Sequence, residues 1–229
     1  MKGLILFDID KTLIKSSTGH AAAFSEGFKK VYGIESNIDV INHSGMTDQQ
    51  IIIEVLKKKG LNEEQILPKI NECMKVMLDY FDSIKDSVEV KVLIGVPKLL
   101  EELKNQNFLI GLVTGNLEPI GRGKMRKANL NHYFKLGGFG SDDISRTKLV
   151  KLAIKRAEEN FDFQYNNNVF LFGDAPQDMN AGYEAGIIII GVTTGIFTKE
   201  DLENAAADYV VDNLQDTQKI LSIISKKVP

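Results

Sequence analysis

The sequence predicts an α/β protein, a doubly wound parallel sheet with an inserted run of helices, and three observations carry that prediction. Short apolar runs bounded by polar residues recur at Leu4-Ile5-Leu6-Phe7, Phe108-Leu109-Ile110-Gly111-Leu112-Val113 and Val169-Phe170-Leu171-Phe172, the pattern of strands buried on both faces. Amphipathic helical stretches alternate with such runs through the second half of the chain, which indicates a parallel sheet covered on both sides. Between the first run and the rest, residues 16–92 read as helices without a strong strand signal. The expected organisation is a core of residues 1–15 and 93–229 with a helical domain of 16–92 inserted into it.

Each element has its own justification. Ser16-Ser17-Thr18-Gly19 offers capping residues and a hinge ahead of a helix from His20 to Tyr32, with Ala23, Phe24, Phe28, Val31 and Tyr32 at helical spacing and Gly33 as the stop. The polar turn Ser44-Gly45-Met46-Thr47-Asp48 leads into a helix from Gln49 to Lys59. Glu64 to Lys85 shows a stripe of Ile66, Ile70, Met74, Met77, Leu78 and Phe81, with Pro68 in its first turns. Gly95-Val96-Pro97 opens the next helix. Helices are then expected at Pro119 to Ala128, Lys148 to Asn160, Asp178 to Ala185 and Leu214 to Lys227. Weaker strands are expected at Leu136 to Phe139, Ile187 to Val192 and Tyr209 to Val211. No internal repeat or low-complexity tract interrupts this order.

Composition narrows the function classes. With 43% hydrophobic and 26% charged residues the chain is an ordinary globular sequence, and a net charge of −3 gives no electrostatic case for nucleic acid or an anionic membrane. The apolar N-terminal stretch is cut by Asp8 after four residues, too short for a secretory signal, and no run is long enough to span a bilayer. Cys73 is the only cysteine, so no internal disulfide forms, and a reducing, cytoplasmic setting is expected. A monomer or weak homodimer is expected.

The chemistry concentrates where the apolar runs end. In an open α/β sheet ligands bind outside the carboxyl ends of the strands. Three strands carry polar residues there: Asp8 and Asp10, Thr114 with Gly115 and Asn116, and Asp174. Alternation along a strand places Asp8 and Asp10 on one side and Ile9 on the other. Two carboxylates at the edge of an apolar core call for a partner, and a hard divalent cation such as magnesium is the cheapest remedy. A calcium loop is excluded, since its sixth position would be Leu13 and its twelfth Gly19, where glycine and glutamate are needed.

Asp8-Ile9-Asp10-Lys11-Thr12, Thr114-Gly115, a basic residue ahead of a helix, and Gly173-Asp174-Ala175-Pro176-Gln177-Asp178 stand at strand ends in that order. Together they resemble the haloacid-dehalogenase-like phosphohydrolase superfamily over nearly the whole chain, in particular its phosphoglycolate-phosphatase-like and β-phosphoglucomutase-like members. The resemblance implies a Rossmann-like core with a type 1 helical cap at 16–92 and a magnesium-dependent reaction on a small phosphorylated metabolite. It assigns Asp8 as nucleophile and Asp10 as acid and base. Magnesium falls to Asp8, Asp174, Asp178 and the Asp10 backbone carbonyl. Thr114, Gly115 and Asn116 would hold the phosphate, with a basic residue for which Ser145-Arg146-Thr147-Lys148 offers two candidates; Arg146 is favoured and Lys148 is the alternative. On the cap side His20, Gly45 and Thr47 would meet the substrate.

Blander readings stand beside several of these. Asp178 suits a helix N-terminus, Thr114 and Asn116 are both helix caps by type, and Thr47 or Asp48 caps the helix that follows them. His20 on a helix surface is an ordinary residue, and His43 and His132 read as surface residues. Lys11 stands where the family commonly has glycine, and either extends to solvent or anchors an acidic substrate. A phosphatase is the first reading. A β-phosphoglucomutase-like phosphotransferase is the alternative, disfavoured because no arginine precedes Arg122 to grip a second phosphate, although lysines such as Lys57 could substitute. Phosphonate cleavage would need a cap lysine such as Lys29 or Lys30. A non-catalytic phosphate-binding module is the alternative from another class.

Overall fold

In the computed structural model, which describes residues 2–227 apart from the side chain of Ser16, the apolar run Leu4–Phe7 (β1) lies wholly buried inside a six-stranded parallel sheet. From edge to edge the strands are β5 (Leu136–Phe139), β4 (Leu109–Thr114), β1, β6 (Val169–Gly173), β7 (Ile188–Val192) and β8 (Tyr209–Val211). The chain builds outward on one side of β1 through β4 and β5, then returns to its other side at β6. The strand order therefore reverses at β1, and the crevice for a ligand opens there.

Side-chain alternation along β1 divides the core. Ile5, Phe7 and Ile9 cluster with α5 (Val96–Asn105), Met125 of α6 (Glu118–Lys127) and α10 (Thr217–Ser225). Leu4 and Leu6 cluster with α7 (Arg146–Asn160) and Ala181 of α8 (Pro176–Ala185). Each fully buried Leu, Ile or Phe side chain contributes roughly 1.5–3 kcal/mol. Phe7 stacks on Phe172 with ring centroids 4.8 Å apart, and the Asp8 N–H donates to the Phe172 carbonyl at 2.9 Å. These contacts fix the register that brings the ends of β1 and β6 together.

Residues between β1 and β4 carry α1 (His20–Gly27), a π-helical turn at Phe28–Tyr32, α2 (Asp48–Lys58), α3 (Glu63–Ile66) and α4 (Ile70–Ser83). Their apolar faces meet in a cluster of Phe24, Phe28, Ile52, Val55, Leu56, Ile66, Met77 and Phe81, joined by Leu117 and Ile120 from the start of α6. The expected long helix from Glu64 is broken, since Pro68 sits in a 3₁₀ turn at Leu67–Lys69 between α3 and α4. Burial pushes the thiol of Cys73, on α4, up to about 12.

Other expectations are corrected. Residues 14–17 and 90–92 are strands, β2 (Ile14–Ser17) and β3 (Val90–Val92), paired antiparallel as a ribbon leading into and out of the helical segment. Ser17 is therefore in a strand and not a cap, and the Ser16 side chain lies outside the described residues. Gly19 occupies the N-cap of α1 with φ +86°. A short helix α9 (Lys199–Asn204), capped by Thr198, stands between β7 and β8 where none was expected. Among the described residues no helix is long and apolar enough to cross a membrane.

Candidate active site

At the carboxyl ends of β1, β4 and β6 a cavity of about 290 Å³ opens between the sheet and the helical segment. Its walls include Asp8, Asp10, Gly115, Asn116, Arg146, Asp174 and Asp178 from the sheet side, and His20, Gly45 and Asp48 from the helical side. The expected residues from separate strands are thus brought together. Thr114 and Thr47 are the exceptions.

Asp8 follows β1 directly. Its Oδ1 accepts from Arg146 Nη2 at 2.5 Å, and Arg146 Nε lies 2.6 Å from Asp178 Oδ1. The guanidinium is buried and sits at the first residue of α7, two residues earlier than that helix was expected to begin. Lys148 is surface-exposed and pairs with Asp143, so of the two candidates Arg146 is the one that lines the cavity. Arg146 Nη1 also donates to the Gly45 carbonyl at 3.1 Å, tying the loop before α2 to the sheet. Gly45 is needed there: its φ is +72°, and a Cβ would stand 2.5 Å from Gln177 Oε1.

Asp8, Asp174 and Asp178 each offer a carboxylate oxygen within 4.8 Å of the others, and all three are buried. Burial, reinforced by the neighbouring carboxylates and opposed by Arg146, holds Asp8 well above the usual carboxylate range. Burial and then Asp178 push Asp174 up to about 7. Burial opposes the charge of Arg146, but Asp178 and Asp8 outweigh it and raise the guanidinium further. One guanidinium in ion-pair contact, with Lys11 acting on Asp174 from farther off, leaves the three carboxylates short of positive charge. The all-oxygen donor set suits a hard divalent cation. Asp178 is at the same time a helix-start acid, its Oδ2 accepting from the Ala175 N–H at 3.2 Å.

Asp10 belongs to a different arrangement. Its carboxylate accepts from Lys124 Nζ at 2.6 and 2.9 Å and from Asn116 Nδ2 at 3.0 Å. Burial works against its charge, and Lys124 and His20 outweigh that, so it is held below the ordinary range. The Lys124 ammonium also approaches His20 Nδ1 at 3.1 Å, and His20 Nε2 lies 3.1 Å from Asp48 Oδ2. With the ammonium donating to Nδ1, the ring proton falls on Nε2 and is donated to Asp48. Asp48 Oδ2 in turn accepts the Leu117 N–H at 2.8 Å, so α2 caps α6. His20 is therefore a network residue and not a free surface imidazole.

One reading of capping is corrected here. Alternation holds: Ile9 packs with Ile5 and Phe7 in the core while Asp8 and Asp10 both line the cavity, Asp8 bonded to Arg146 of α7 and Asp10 to Lys124 of α6. Asn116 is not the cap of α6, where Leu117 takes the N-cap position; its amide serves Asp10. Thr114 is buried beneath the cavity, its Oγ1 accepting from the Asn116 N–H at 3.3 Å. Thr47 is fully buried: its Oγ1 caps α2 by accepting from Gln50 N–H and donates to the Ile144 carbonyl. Among the described residues Asp10 adds no side-chain oxygen to the acidic cluster of Asp8, Asp174 and Asp178.

Sequence reasoning missed Lys124 altogether and placed His43 on the surface. Lys124 is 1% exposed, and His43 lines the cavity with its Nδ1 shielded and without a hydrogen bond. A signal for Lys124 existed. Leu117, Ile120, Gly121, Lys124 and Met125 fall on one helical stripe, so the lysine occupies an apolar position of an otherwise basic helix. Lys29, Lys30 and Lys57 pair with Glu35, Glu26 and Glu63 on the surface and do not line the cavity.

The sequence profile of the haloacid dehalogenase-like hydrolases matches residues 5–192. A phosphoglycolate phosphatase of Aquifex aeolicus is 29% identical over 189 residues, 80% of this chain and 81% of that protein. The pyrophosphatase PpaX of Bacillus mycoides is 23% identical over 222 residues, 96% of this chain and 97% of the relative. Among solved structures, a hydrolase from Pseudomonas syringae superimposes with a TM-score of 0.72 at 19% identity, covering 97% of this chain and 99% of the other.

Proposed function

The chain belongs to the haloacid dehalogenase-like hydrolase family, and from that premise we propose that it is a magnesium-dependent phosphatase acting on a small phosphomonoester through an aspartyl-phosphate intermediate. The observation that carries this reading is the convergence of Asp8, Asp174 and Asp178 around Arg146 at the sheet's reversal point. Relatives named as phosphoglycolate phosphatase and pyrophosphatase agree with it.

Asp8, Asp174 and Asp178 would hold the magnesium ion, which when bound neutralises the gathered carboxylates and polarises the phosphoryl oxygens. Asp8 attacks phosphorus, the bond from phosphorus to the ester oxygen breaks, and the departing alkoxide takes a proton that Asp10 first draws from solvent. Water then attacks phosphorus of the acyl phosphate, Asp10 takes its proton, and the bond from phosphorus to the Asp8 oxygen breaks, freeing phosphate and restoring the Asp8 carboxylate. Arg146 orients Asp8 and offsets its charge. Asp10 starts ionised against Lys124, which suits the second step better than the first. Esters with more acidic leaving groups should therefore turn over faster.

Residues 16–92 act as a cap in this reading, with the β2–β3 ribbon as its hinge. Asp48 and His20 bring the cap to Asp10 through Lys124. Closure excludes water from the phosphoryl group. The lone thiol of Cys73 fits a reducing, cytoplasmic setting.

Phosphate release from 4-nitrophenyl phosphate with and without magnesium tests the proposal. Release that requires magnesium, with Asp8 labelled on borohydride trapping of the acyl phosphate, is the expected outcome. Undiminished release by Asp8→Asn would remove Asp8 from the nucleophile role.

A further inference from the structure

The cations around the cavity fall into two sets. Arg146 and Lys124 are buried and held by carboxylates at 2.5–2.9 Å. Lys11 and Lys15 line the same cavity, and among the described residues neither has a carboxylate within ion-pair distance, although the Lys11 charge acts on Asp174 from beyond it. His43, on the same wall, keeps its shielded Nδ1 without a partner.

Lys11 also holds an unfavourable backbone. Its φ is +64°, a region that costs a residue with a Cβ about 1–2 kcal/mol and that glycine enters freely. The conformation is pinned from both sides, by its N–H donating to the Ile14 carbonyl at 2.6 Å and by its carbonyl accepting from Thr194 Oγ1. Glycine would satisfy those bonds as well. The other non-glycine residues at positive φ are three asparagines, which tolerate it, and Ala206. A long cation kept in a strained position on the cavity wall needs a reason beyond the backbone.

Resting on the phosphatase reading, the geometry points to a second anion subsite: Lys11, with Lys15 and His43, receives an anionic group beyond the scissile bond. The preferred substrates are then small phosphate esters or anhydrides whose leaving group is itself negatively charged, by a carboxylate or a second phosphate. A cavity of about 290 Å³ admits only a short leaving group of this kind. Lys15 lies on β2, so the same contact would hold the hinge ribbon against bound substrate.

Phosphoglycolate and ethyl phosphate test this directly, since they differ by a carboxylate against a methyl group. Pyrophosphate supplies the second-phosphate arm. The native protein should show kcat/KM at least ~10-fold higher for phosphoglycolate or pyrophosphate than for ethyl phosphate. Lys11→Gly, which relieves the backbone, should lower that ratio ~10-fold or more through KM, and Lys11→Arg should retain it. The anion that gives the higher ratio identifies a carboxylate or a phosphate as the group received. A metal defect would lower all substrates together and leave the ratio unchanged. A native ratio near one, or a ratio unmoved in both Lys11→Gly and Lys15→Ala, overturns the subsite. If 4-nitrophenyl phosphate is cleaved in that case, the subsite alone falls. No release from any of the four compounds with magnesium overturns the subsite and the phosphatase reading together.

Discussion

Asp8 and Asp10 are two residues apart at the end of one strand, yet they live in opposite electrostatic settings. Asp8 shares a single guanidinium with Asp178 beside Asp174, and its carboxyl is pushed up by burial and by those neighbours. Asp10 has an ammonium to itself, an amide from Asn116, and His20 behind the ammonium, and is held down. The Asp8 side is incomplete without another cation. The Asp10 side is complete, and its completeness includes His20 and Asp48 of the helical segment. The shifts run against the usual order, in which the raised carboxyl gives the proton and the ionised one attacks, so Asp8 needs a further cation beside it to attack as a carboxylate.

The largest effects should come from the two aspartates themselves. Asp8→Asn should lower kcat on 4-nitrophenyl phosphate by more than ~10⁴-fold, because no other group can form the acyl phosphate. Asp10→Asn should cost ~10²–10⁴-fold and still allow Asp8 to be labelled, since proton handling is lost while the nucleophile remains. Equal losses with no labelling in either variant would erase the division of roles.

The two cations come next. Arg146→Met takes the ion-pair partner from Asp8 and Asp178, and breaking a buried pair of this kind costs ~3–5 kcal/mol. Magnesium should restore much of the lost melting temperature. Lys124→Met should cost less, because the Asp10 side chain is 38% exposed and water can take over part of its solvation. Magnesium should restore little of it. Thermal melts with and without the ion decide the matter, and equal rescue of both variants would contradict the contrast.

A pH series probes the incomplete side alone. Asp174 titrates at about 7 in the folded protein against 3.8 for an ordinary aspartate, so between those values the native state binds the extra proton. Stability of the magnesium-free protein should therefore fall as pH rises from about 4 to 7, by an amount on the order of a few kcal/mol. Magnesium binding should strengthen over the same window, because the proton competes with the ion. Asp174→Asn should weaken both trends, and what remains belongs to Asp8 and Asp178, which are raised too. A magnesium-free protein equally stable at pH 5 and pH 8 would contradict the assignment.

How much of this the sequence disclosed follows the same divide. The Asp8 side was readable, because each of its aspartates follows an apolar strand or opens the helix after one, and strand ends are marked by abrupt loss of hydrophobicity. Arg146 came instead from the family resemblance, which asks for a basic residue ahead of a helix and left Lys148 as the alternative. The Asp10 side was not, since Lys124 comes two turns into α6 among Arg122, Arg126 and Lys127, and a basic helix reads as solvated. Its buried position shows only in the spacing from Ile120. The ribbon of β2 and β3 escaped because three- and four-residue strands pairing across more than 70 positions leave no local period. His43 sits in a polar loop whose placement over the cavity depends on tertiary contacts such as Arg146 to Gly45.

The smallest effect separates two neighbours at the start of α2. Thr47 and Asp48 both begin α2, but the Thr47 hydroxyl is turned to Gln50 and Ile144, whereas the Asp48 carboxylate reaches His20 and Leu117. Thr47→Ala removes a capping box and one hydrogen bond, worth about 1 kcal/mol of stability. It touches no cavity wall, so KM for 4-nitrophenyl phosphate should stay within ~2-fold of native. Asp48→Asn should cost similar stability and also lower kcat, because His20 and through it Lys124 lose their anchor to the cap. If Thr47→Ala raises KM more than Asp48→Asn lowers kcat, the threonine faces substrate after all, and the network from Asp48 to Asp10 has only a structural part.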